Sequence, residues 1–507
     1  MAFVVDNKKI AKNTVALYLR TIITMVISFF TARITLQVLG VEDYGLNNLV
    51  GSVVALFSFI NSSMSTAVLR FFNISIGRGD NKRMGKIYGV GVYLHIIIAI
   101  ITIVMAELFA LFFLGKMNIP QERMFAAQVV FQISIFSMAL TIVNIPNYAL
   151  LKAREMFSKT AMIEIVEALL RLLILYMLYT IDYDKLIVYS SLNLGVTLFY
   201  VSSLFYMARQ FPESHHHPCK EPQLIKEMLK FVSFLLITVL AELGRNQGVV
   251  MLINLFFGLA INAAYAVAVQ ISNMVSTFVI NIKQPIIPQM MAAYGAGDRN
   301  SMFKLIDFGT KVTALMMMML TIPVMFEVDY LLALWLKTPP QYTSGLVILV
   351  LININISSFT YFLYQGVHAT GNITKQQICM SALYVINILA IYLAFKIGCN
   401  FYTALYITIV ISTFQCILNM LMAKKYYAYK ILRFVLRILL PCLITAGIIS
   451  LFLYSICCIV KPSFVRVMIV GMLGITSCLF LGYQLVLNES ERQKVVSFIV
   501  KRNRRIT

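Results

Sequence analysis

Apolar stretches of about 20 residues recur along the whole 507-residue chain, and short polar segments separate them. A helix of that length matches the hydrocarbon thickness of a bilayer. The spans must be helices, because a backbone in lipid has to satisfy its own hydrogen bonds and the stretches lack the alternation of barrel strands. The composition agrees, since 60% of the residues are hydrophobic and only 12% are charged. The sequence therefore predicts an all-α polytopic membrane protein.

We predict fourteen transmembrane helices from these stretches. An even number of spans places both termini on the same side of the membrane. The approximate bounds of the spans are 13–38, 46–74, 87–114, 124–148, 160–181, 185–207, 231–257, 262–291, 307–336, 344–368, 377–397, 401–423, 434–460 and 464–487.

Lysine and arginine are distributed unevenly between the two sides. The segments on the side of the termini hold 28 of the 42 basic residues, and the opposite segments hold 7. By the positive-inside rule, both termini are expected in the cytoplasm. Topology thus accounts for most of the net charge of +21, and nucleic acid is not expected as a partner.

The chain also contains an internal repeat. A shift of 218 residues aligns seven identical residues without a gap, and the densest match joins GRGDNKRMGK (77–86) to GAGDRNSMFK (295–304). Six spans per repeat is an even number, so the two copies are expected to have the same orientation, related by an axis along the membrane normal. The aligned pairs are Gly40 and Gly258, Gly77 and Gly295, Gly79 and Gly297, Asp80 and Asp298, Met84 and Met302, Lys86 and Lys304, and Gly91 and Gly309.

The repeat predicts two pseudo-symmetric six-helix lobes with two further helices after them. The expected parts are an N-lobe over 1–210, a cytoplasmic hinge over 211–228, a C-lobe over 229–425, and a last pair of spans with a basic tail over 426–507. The path of the substrate is expected between the lobes, and a monomer would be sufficient. The hinge and the tail have a basic, amphipathic character that suits either the headgroups of membrane lipids or a solvated linker.

Basic residues inside the spans are the candidates for function, because each costs about 2.5 to 3.5 kcal/mol at the centre of a membrane helix. Such residues are expected to pair, to reach an interface or to line a hydrated cavity. Arg33, Arg70 and Lys311 lie near span ends, whereas the others lie deeper. We predict a cationic, substrate-binding cavity formed by Arg20, Arg33, Arg70, Arg171, Arg245 and Lys283.

Acidic residues inside the spans are candidates for ion pairs or for ion coupling. Glu107, Glu164, Glu167 and Glu242 form this group. Glu167 precedes Arg171 by four residues and Glu242 precedes Arg245 by three, which are the spacings of neighbours on a helix. Arg20 and Lys283 have no acidic residue within a turn, so they are the better candidates to meet an anion. Coupling to H⁺, to Na⁺ or to the membrane potential stays open at this point.

No cofactor, metal or catalytic residue is expected. The eight cysteines are scattered without a C-x-x-C motif, and the run from His215 to His217 beside Cys219 is interpreted as a solvated linker. The chain has no P-loop and no G-x-G-x-x-G loop after a strand, and it has no large soluble segment that could hold ATP.

Four segments resemble a known family. They are VLGVEDYGLNNLV (38–50), SMSTAVLRFF (63–72), IPNYALLKAREMF (145–157) and LALWLKTPPQYT (332–343). They resemble the polysaccharide-transport branch of the multidrug/oligosaccharidyl-lipid/polysaccharide (MOP) exporter superfamily, which includes the O-antigen flippases. The resemblance covers nearly the whole chain, including the fourteen spans and the paired lobes.

The resemblance implies a transporter rather than an enzyme, in the inner membrane of a bacterium. Such a protein flips an undecaprenyl-diphosphate-linked oligosaccharide, destined for O-antigen, capsule or exopolysaccharide, from the cytoplasmic to the periplasmic leaflet by alternating access. Basic residues of the first, second and eighth spans line the cavity in related flippases, which here implies Arg20, Arg33, Arg70 and Lys283. The implied partners are the lipid-linked anionic oligosaccharide, membrane lipids, and the glycan polymerase and assembly proteins.

Two alternatives remain. A multidrug exporter of the same superfamily would need cavity carboxylates that no arginine neutralises, and only Glu107 has no basic residue nearby. A membrane enzyme of glycan assembly would need a sizeable periplasmic loop, whereas every such segment here is short.

Overall fold

A computed structural model describes residues 6–55, 58–113, 120–215, 218–489 and 491–493. All regular structure in these ranges is helical, which confirms the all-α prediction. Ten of the described helices are long and apolar enough to cross a membrane, and the bent pair Thr343–Ser358 and Tyr361–Thr370 would make an eleventh span. The chain is a multi-pass membrane protein.

Seventeen α-helices are found in the described ranges, and each predicted span coincides with one of them, with part of one, or with two that follow each other. The helices are α1 Asn7–Ala55, α2 Ser58–Arg78, α3 Asn81–Phe113, α4 Met124–Val143, α5 Ile145–Ala153, α6 Phe157–Met177, α7 Lys185–Ala208, α8 Pro222–Gly295, α9 Arg299–Phe326, α10 Val328–Leu336, α11 Thr343–Ser358, α12 Tyr361–Thr370, α13 Thr374–Lys396, α14 Thr403–Tyr427, α15 Ile431–Phe434, α16 Leu440–Ile459 and α17 Phe464–Leu481.

Two long helices are kinked at equivalent positions of the predicted repeat. Helix α1 is broken at Gly40, with φ 79° and ψ 172°, and α8 is broken at Gly258, with φ 79° and ψ −175°. A side chain would be strained in this backbone conformation, whereas glycine adopts it readily. The offset of 218 residues therefore relates two glycines with the same structural task, at the boundaries predicted between the first and second spans of each copy.

A close helix crossing also follows the repeat. A Cβ atom on Gly77 of α2 would collide with the backbone of Ala292 on α8, and one on Gly295 would collide with the backbone of Ile74. Because Ile74 and Ala292 are themselves 218 residues apart, the contact is reciprocal between equivalent positions. The missing side chains of the two glycines let the backbones approach directly.

The chain divides into two compact units. The first unit consists of Met1–Val239 and Pro288–Arg299, and the second consists of Leu240–Ile287 and Asn300–Thr507. The lobe boundaries at 210, 228 and 425 stay a prediction. In the first unit, α4 packs on α7 around buried Phe131, and Leu175 and Leu178 of the α6 region contact Ile34 of α1.

Several apolar clusters form the core of the described part of the second unit. Leu346, Val347 and Leu351 of α11 pack with Ala264 and Ala268 of α8 in one of them. Another joins α9 to the C-terminal helices through the buried side chains of Ala314, Met318, Ile449, Leu453 and Val470. The last two predicted spans therefore pack as part of the second unit.

Candidate functional site

Arg20 of α1 is held by a carboxylate from another helix. Its Nη1 lies 2.5 Å from Oε2 of Glu164 on α6, and its side chain keeps only 19% of its exposure. The hydroxyl of Tyr148 donates to Oε1 of the same glutamate at 3.2 Å. Lys152 places its ammonium 4.2 Å from the centre of the Tyr148 ring. Arg20 therefore has no acidic residue within a turn of its own helix, as predicted, but it has an acidic partner on α6.

The second arginine of this unit has a partner on its own helix. Arg171 donates to Oε1 of Glu167 at 2.9 Å and to Oδ1 of Asn193 at 2.8 Å. The spacing of four residues therefore leads to an ion pair, as the helix geometry predicts. Glu107 accepts a hydrogen bond from the amide of Gln132 at 3.1 Å.

Arg70 lies between aromatic rings in the first unit. Its guanidinium carbon is 5.0 Å from the ring centre of Phe71 and 4.9 Å from that of Phe231, a cation–π arrangement. Arg33 lies within α1, and its side chain is outside the described part of the structure. The convergence of Arg20, Arg33, Arg70 and Lys283 on one cavity stays a prediction.

Lys283 in the second unit rests on a tyrosine. Its Nζ is 4.3 Å from the ring centre of Tyr361, the first residue of α12. The amide of Gln365, one turn further along α12, donates to the hydroxyl of Tyr361 at 3.3 Å. Among the described residues, no carboxylate lies within 4.0 Å of Lys283, so its charge is held without being neutralised.

Arg245 has similar surroundings. Its guanidinium carbon lies 4.9 Å from the ring centre of Tyr384 on α13, and its Nη2 donates to Oδ1 of Asn246 at 2.7 Å. Glu242 does not come within ion-pair distance of Arg245 in the described structure. A spacing of three residues allows contact on a helix but does not impose it, and the tyrosine ring takes the guanidinium instead.

Lys311, which was expected near a span end, is instead deeply buried and paired. Its side chain is 1% exposed, and its Nζ lies 2.8 Å from Oε2 of Glu491, which follows α17. At the other end of α9, Nε of Arg466 lies 2.8 Å from Oε1 of Glu327. These pairs attach the C-terminal helices to α9.

Another contact strengthens the attachment at the Lys311 end. The hydroxyl of Tyr429, in the loop between α14 and α15, donates to Asp307 on α9, and Arg433 lies 3.3 Å from the same carboxylate. Burial raises the pKa of Tyr429, so the phenol stays protonated and able to donate. The sequence showed none of these partners, because they are more than 100 residues apart along the chain.

The tyrosines are the residues that the sequence analysis missed. Tyr148, Tyr361 and Tyr384 each contact a charged side chain. Only Tyr148 left a signal, since it precedes Lys152 by four residues in the IPNYALLK segment. Within the described ranges, no three histidine, cysteine or acidic residues come together as metal ligands, and His216 and His217 lie outside those ranges.

The fold is similar to that of known transporters. An outward-facing multidrug resistance MATE family transporter of the MOP superfamily superposes with a TM-score of 0.66 at 12% identity, over 84% of this chain and 95% of that one. A MATE structure in the bent conformation has a TM-score of 0.69 at 12% identity, over 82% and 95%. A MOP superfamily transporter from Pyrococcus furiosus, for which reverse polarity of the binding pocket suggests a different function, has a TM-score of 0.66 at 12% identity, over 82% and 95%.

Comparison of sequences finds a relative that matches a smaller part of the chain. The uncharacterized membrane protein EpsK of Bacillus subtilis is 21% identical over 305 residues, which is 60% of this chain and 60% of EpsK. The chain thus spans less than two thirds of that relative, and no family model matches it. The described chain is helical and has the fold of these MATE transporters, which confirms the predicted fold class.

Proposed function

We propose that this protein flips an undecaprenyl-diphosphate-linked oligosaccharide from the cytoplasmic to the periplasmic leaflet of a bacterial inner membrane by alternating access. The glycan would be a unit of O-antigen, capsule or exopolysaccharide. The MOP superfamily fold supports a transporter, and both termini would lie in the cytoplasm. One monomer would suffice, beside the polymerase and assembly proteins that use the product.

The proposal rests mainly on how the structure compensates the charge of Lys283. A cation placed inside a membrane helix is costly unless something compensates it. Lys283 has a tyrosine ring in place of a carboxylate, and a ring attracts the cation without cancelling its charge. Arg245 repeats the arrangement on Tyr384. Two such cations suit a ligand that brings its own negative charge, and a diphosphate brings enough for both.

The membrane potential would favour the proposed direction. Moving one negative charge outward across an inside-negative membrane releases about 2.3 kcal/mol per 100 mV. A diphosphate headgroup carries more than one such charge, so the potential could drive flipping without a cofactor. Exchange of H⁺ or Na⁺ at Glu164 would be a further source of energy.

A multidrug exporter is the second candidate, because one structural neighbour is a multidrug resistance MATE family transporter. An organic cation needs carboxylates that are free to meet it. Glu164 and Glu167 are engaged by Arg20 and Arg171, which counts against this candidate. Glu107 and Glu242 have no ion pair in the described structure, and they would be the carboxylates to examine.

The test is flipping of a labelled undecaprenyl-diphosphate oligosaccharide in proteoliposomes. Lys283→Ala is expected to lower the rate by about tenfold to a hundredfold, the effect of losing a hydrogen bond to a charged group. Lys396→Ala, at the exposed end of α13, is the matched control and should flip at the normal rate. Protease protection and yield of the folded protein should be equal in both.

Two outcomes would contradict the proposal. Normal flipping by Lys283→Ala would remove the cationic site from the mechanism. No flipping by the unaltered protein, together with efflux of an organic cation that Glu242→Gln abolishes, would establish the multidrug exporter instead.

A further inference from the structure

The polar residues of α12 and of the start of α13 fall into two groups. The buried pair His368 and Gln377 contact each other, with the Gln377 amide 2.9 Å from Nε2 of His368, and the same amide donates to the hydroxyl of Tyr364 at 3.0 Å. These bonds join α12 to α13, so the three side chains have a structural role. Tyr361 and Gln365 form the other group, which has bonding capacity left over.

The unused atoms can be named one by one. The hydroxyl of Tyr361 accepts from Gln365 but donates its own hydrogen to no described residue. Gln365 donates through Nε2, while its Oε1 accepts nothing from the described residues. The hydroxyl of Tyr384 makes no hydrogen bond to a described residue either. All three side chains are only partly buried, so these atoms are not enclosed within the core.

The same three residues lie beside the two unneutralised cations. Tyr361 carries Lys283 on its ring and Tyr384 carries Arg245. Tyr364, one turn from Tyr361 on α12, accepts its hydrogen bond from Gln377 on α13, the helix that also carries Tyr384. The residues thus lie on two helices of the second unit that this bond joins, with positive charge on the ring faces and free hydroxyl and amide atoms at the ring edges.

We propose that Tyr361, Gln365 and Tyr384 form a sugar subsite, which binds the first sugar of a glycosyl diphosphate while Lys283 and Arg245 bind its phosphates. This inference rests on the proposed function and specifies which part of the headgroup is recognised. A sugar hydroxyl both donates and accepts, so it needs neighbours of both kinds, and the tyrosine hydroxyls and the glutamine amide supply them. Groups of this kind give specificity, because an analogue without the hydroxyls leaves them unpaired.

The experiment separates sugar recognition from anion recognition. The full-length protein in detergent is titrated calorimetrically with inorganic pyrophosphate and with the methyl ester of a hexose 1-diphosphate. Three variants remove polar atoms and keep the bulk of the side chain: Tyr361→Phe, Tyr384→Phe and Gln365→Met. The tyrosine variants keep the rings on which the cations rest. Tyr406→Phe, on the exposed side of α14, is the control.

Each of the three variants is expected to weaken binding of the hexose 1-diphosphate ester by about threefold to tenfold, the effect of one lost hydrogen bond. Binding of pyrophosphate should stay within about twofold, and the control should change neither. Equal losses for both probes would show a structural role and overturn the subsite. Unchanged binding of the ester would overturn it as well.

A different set of binding results would contradict the proposed function itself. If the unaltered protein binds neither pyrophosphate nor the ester, both the anion site and the sugar subsite are refuted. If it binds both equally and Lys283→Ala abolishes both, the anion site stands and only the sugar subsite is lost.

Discussion

The two units of the molecule hold their membrane-depth cations in different ways. In the first unit, Arg20 is paired with Glu164 at 2.5 Å. In the second unit, Lys283 lies on the ring of Tyr361 at 4.3 Å. An ion pair cancels charge and fixes two helices to each other, whereas a ring supports a cation and leaves its charge available. The difference indicates a structural task for the paired arginine and a binding task for the lysine on the ring.

The second unit contains the same contrast within itself. Lys311 is paired with Glu491 and is 1% exposed, while Lys283 has no carboxylate within 4.0 Å among the described residues. Both are lysines in apolar helices of one unit. Their difference therefore comes from what each helix packs against, and Lys311 lies where α9 meets the C-terminal helices.

The largest effect is expected from removal of the Lys311 partner. Glu491→Ala leaves a fully buried ammonium without its counter-ion, and breaking a buried pair in this way costs about 4 kcal/mol of unfolding free energy. The measurement is unfolding of the purified protein in mixed micelles with increasing denaturing detergent. Glu489→Ala, two residues away and exposed, should be neutral. A stable Glu491→Ala protein would mean that Asp307, one turn from Lys311, compensates the charge by itself.

The next effect concerns the pair in the first unit. Arg20→Met should lower the unfolding free energy by about 3 kcal/mol, near the lower end for a buried pair, because both side chains keep nearly a fifth of their exposure. The double variant Arg20→Met with Glu164→Gln should recover part of that loss, since no buried charge is left unpaired. Arg171→Met is the comparison, and its more exposed pair should cost about 0.5 kcal/mol.

The transport rates of these variants sharpen the comparison. If Arg20→Met with Glu164→Gln is stable and still flips the substrate, Arg20 is structural and the cationic site belongs to the second unit. If the double variant is stable but inactive, Arg20 meets the substrate after leaving Glu164, and the assignment of a purely structural task is wrong.

The fold could be predicted from the sequence because its constraints are local. The length of each apolar stretch sets a span, and the backbone in lipid leaves only the helix. The repeat was also readable, because Gly40 and Gly258 must be glycine to adopt φ 79° at the two kinks. The crossing of α2 and α8 could not be predicted from the sequence, because a glycine in the sequence does not indicate which backbone approaches it.

The candidate site was predicted less completely, because its partners lie far apart along the chain. The pair of Glu167 and Arg171 followed from helical spacing. Arg20 and Glu164 are 144 residues apart, and Lys311 and Glu491 are 180 apart, so no local pattern could join them. The contact of Tyr361 with Lys283 was not predicted, because the candidates were charged residues and tyrosine carries no formal charge.

A small change in stability is also expected at Lys283. Lys283→Met removes a cation–π contact worth about 0.5 to 2 kcal/mol but also removes the cost of keeping an unpaired charge at membrane depth, so the two terms offset each other. The unfolding free energy should change by less than about 1 kcal/mol, in contrast to Arg20→Met. Lys396→Met serves as the exposed control in the same unfolding measurement. A loss as large as that of Arg20→Met would show that Lys283 holds the helices together, and the division between paired and available cations would then fail at the residue on which the proposed function depends.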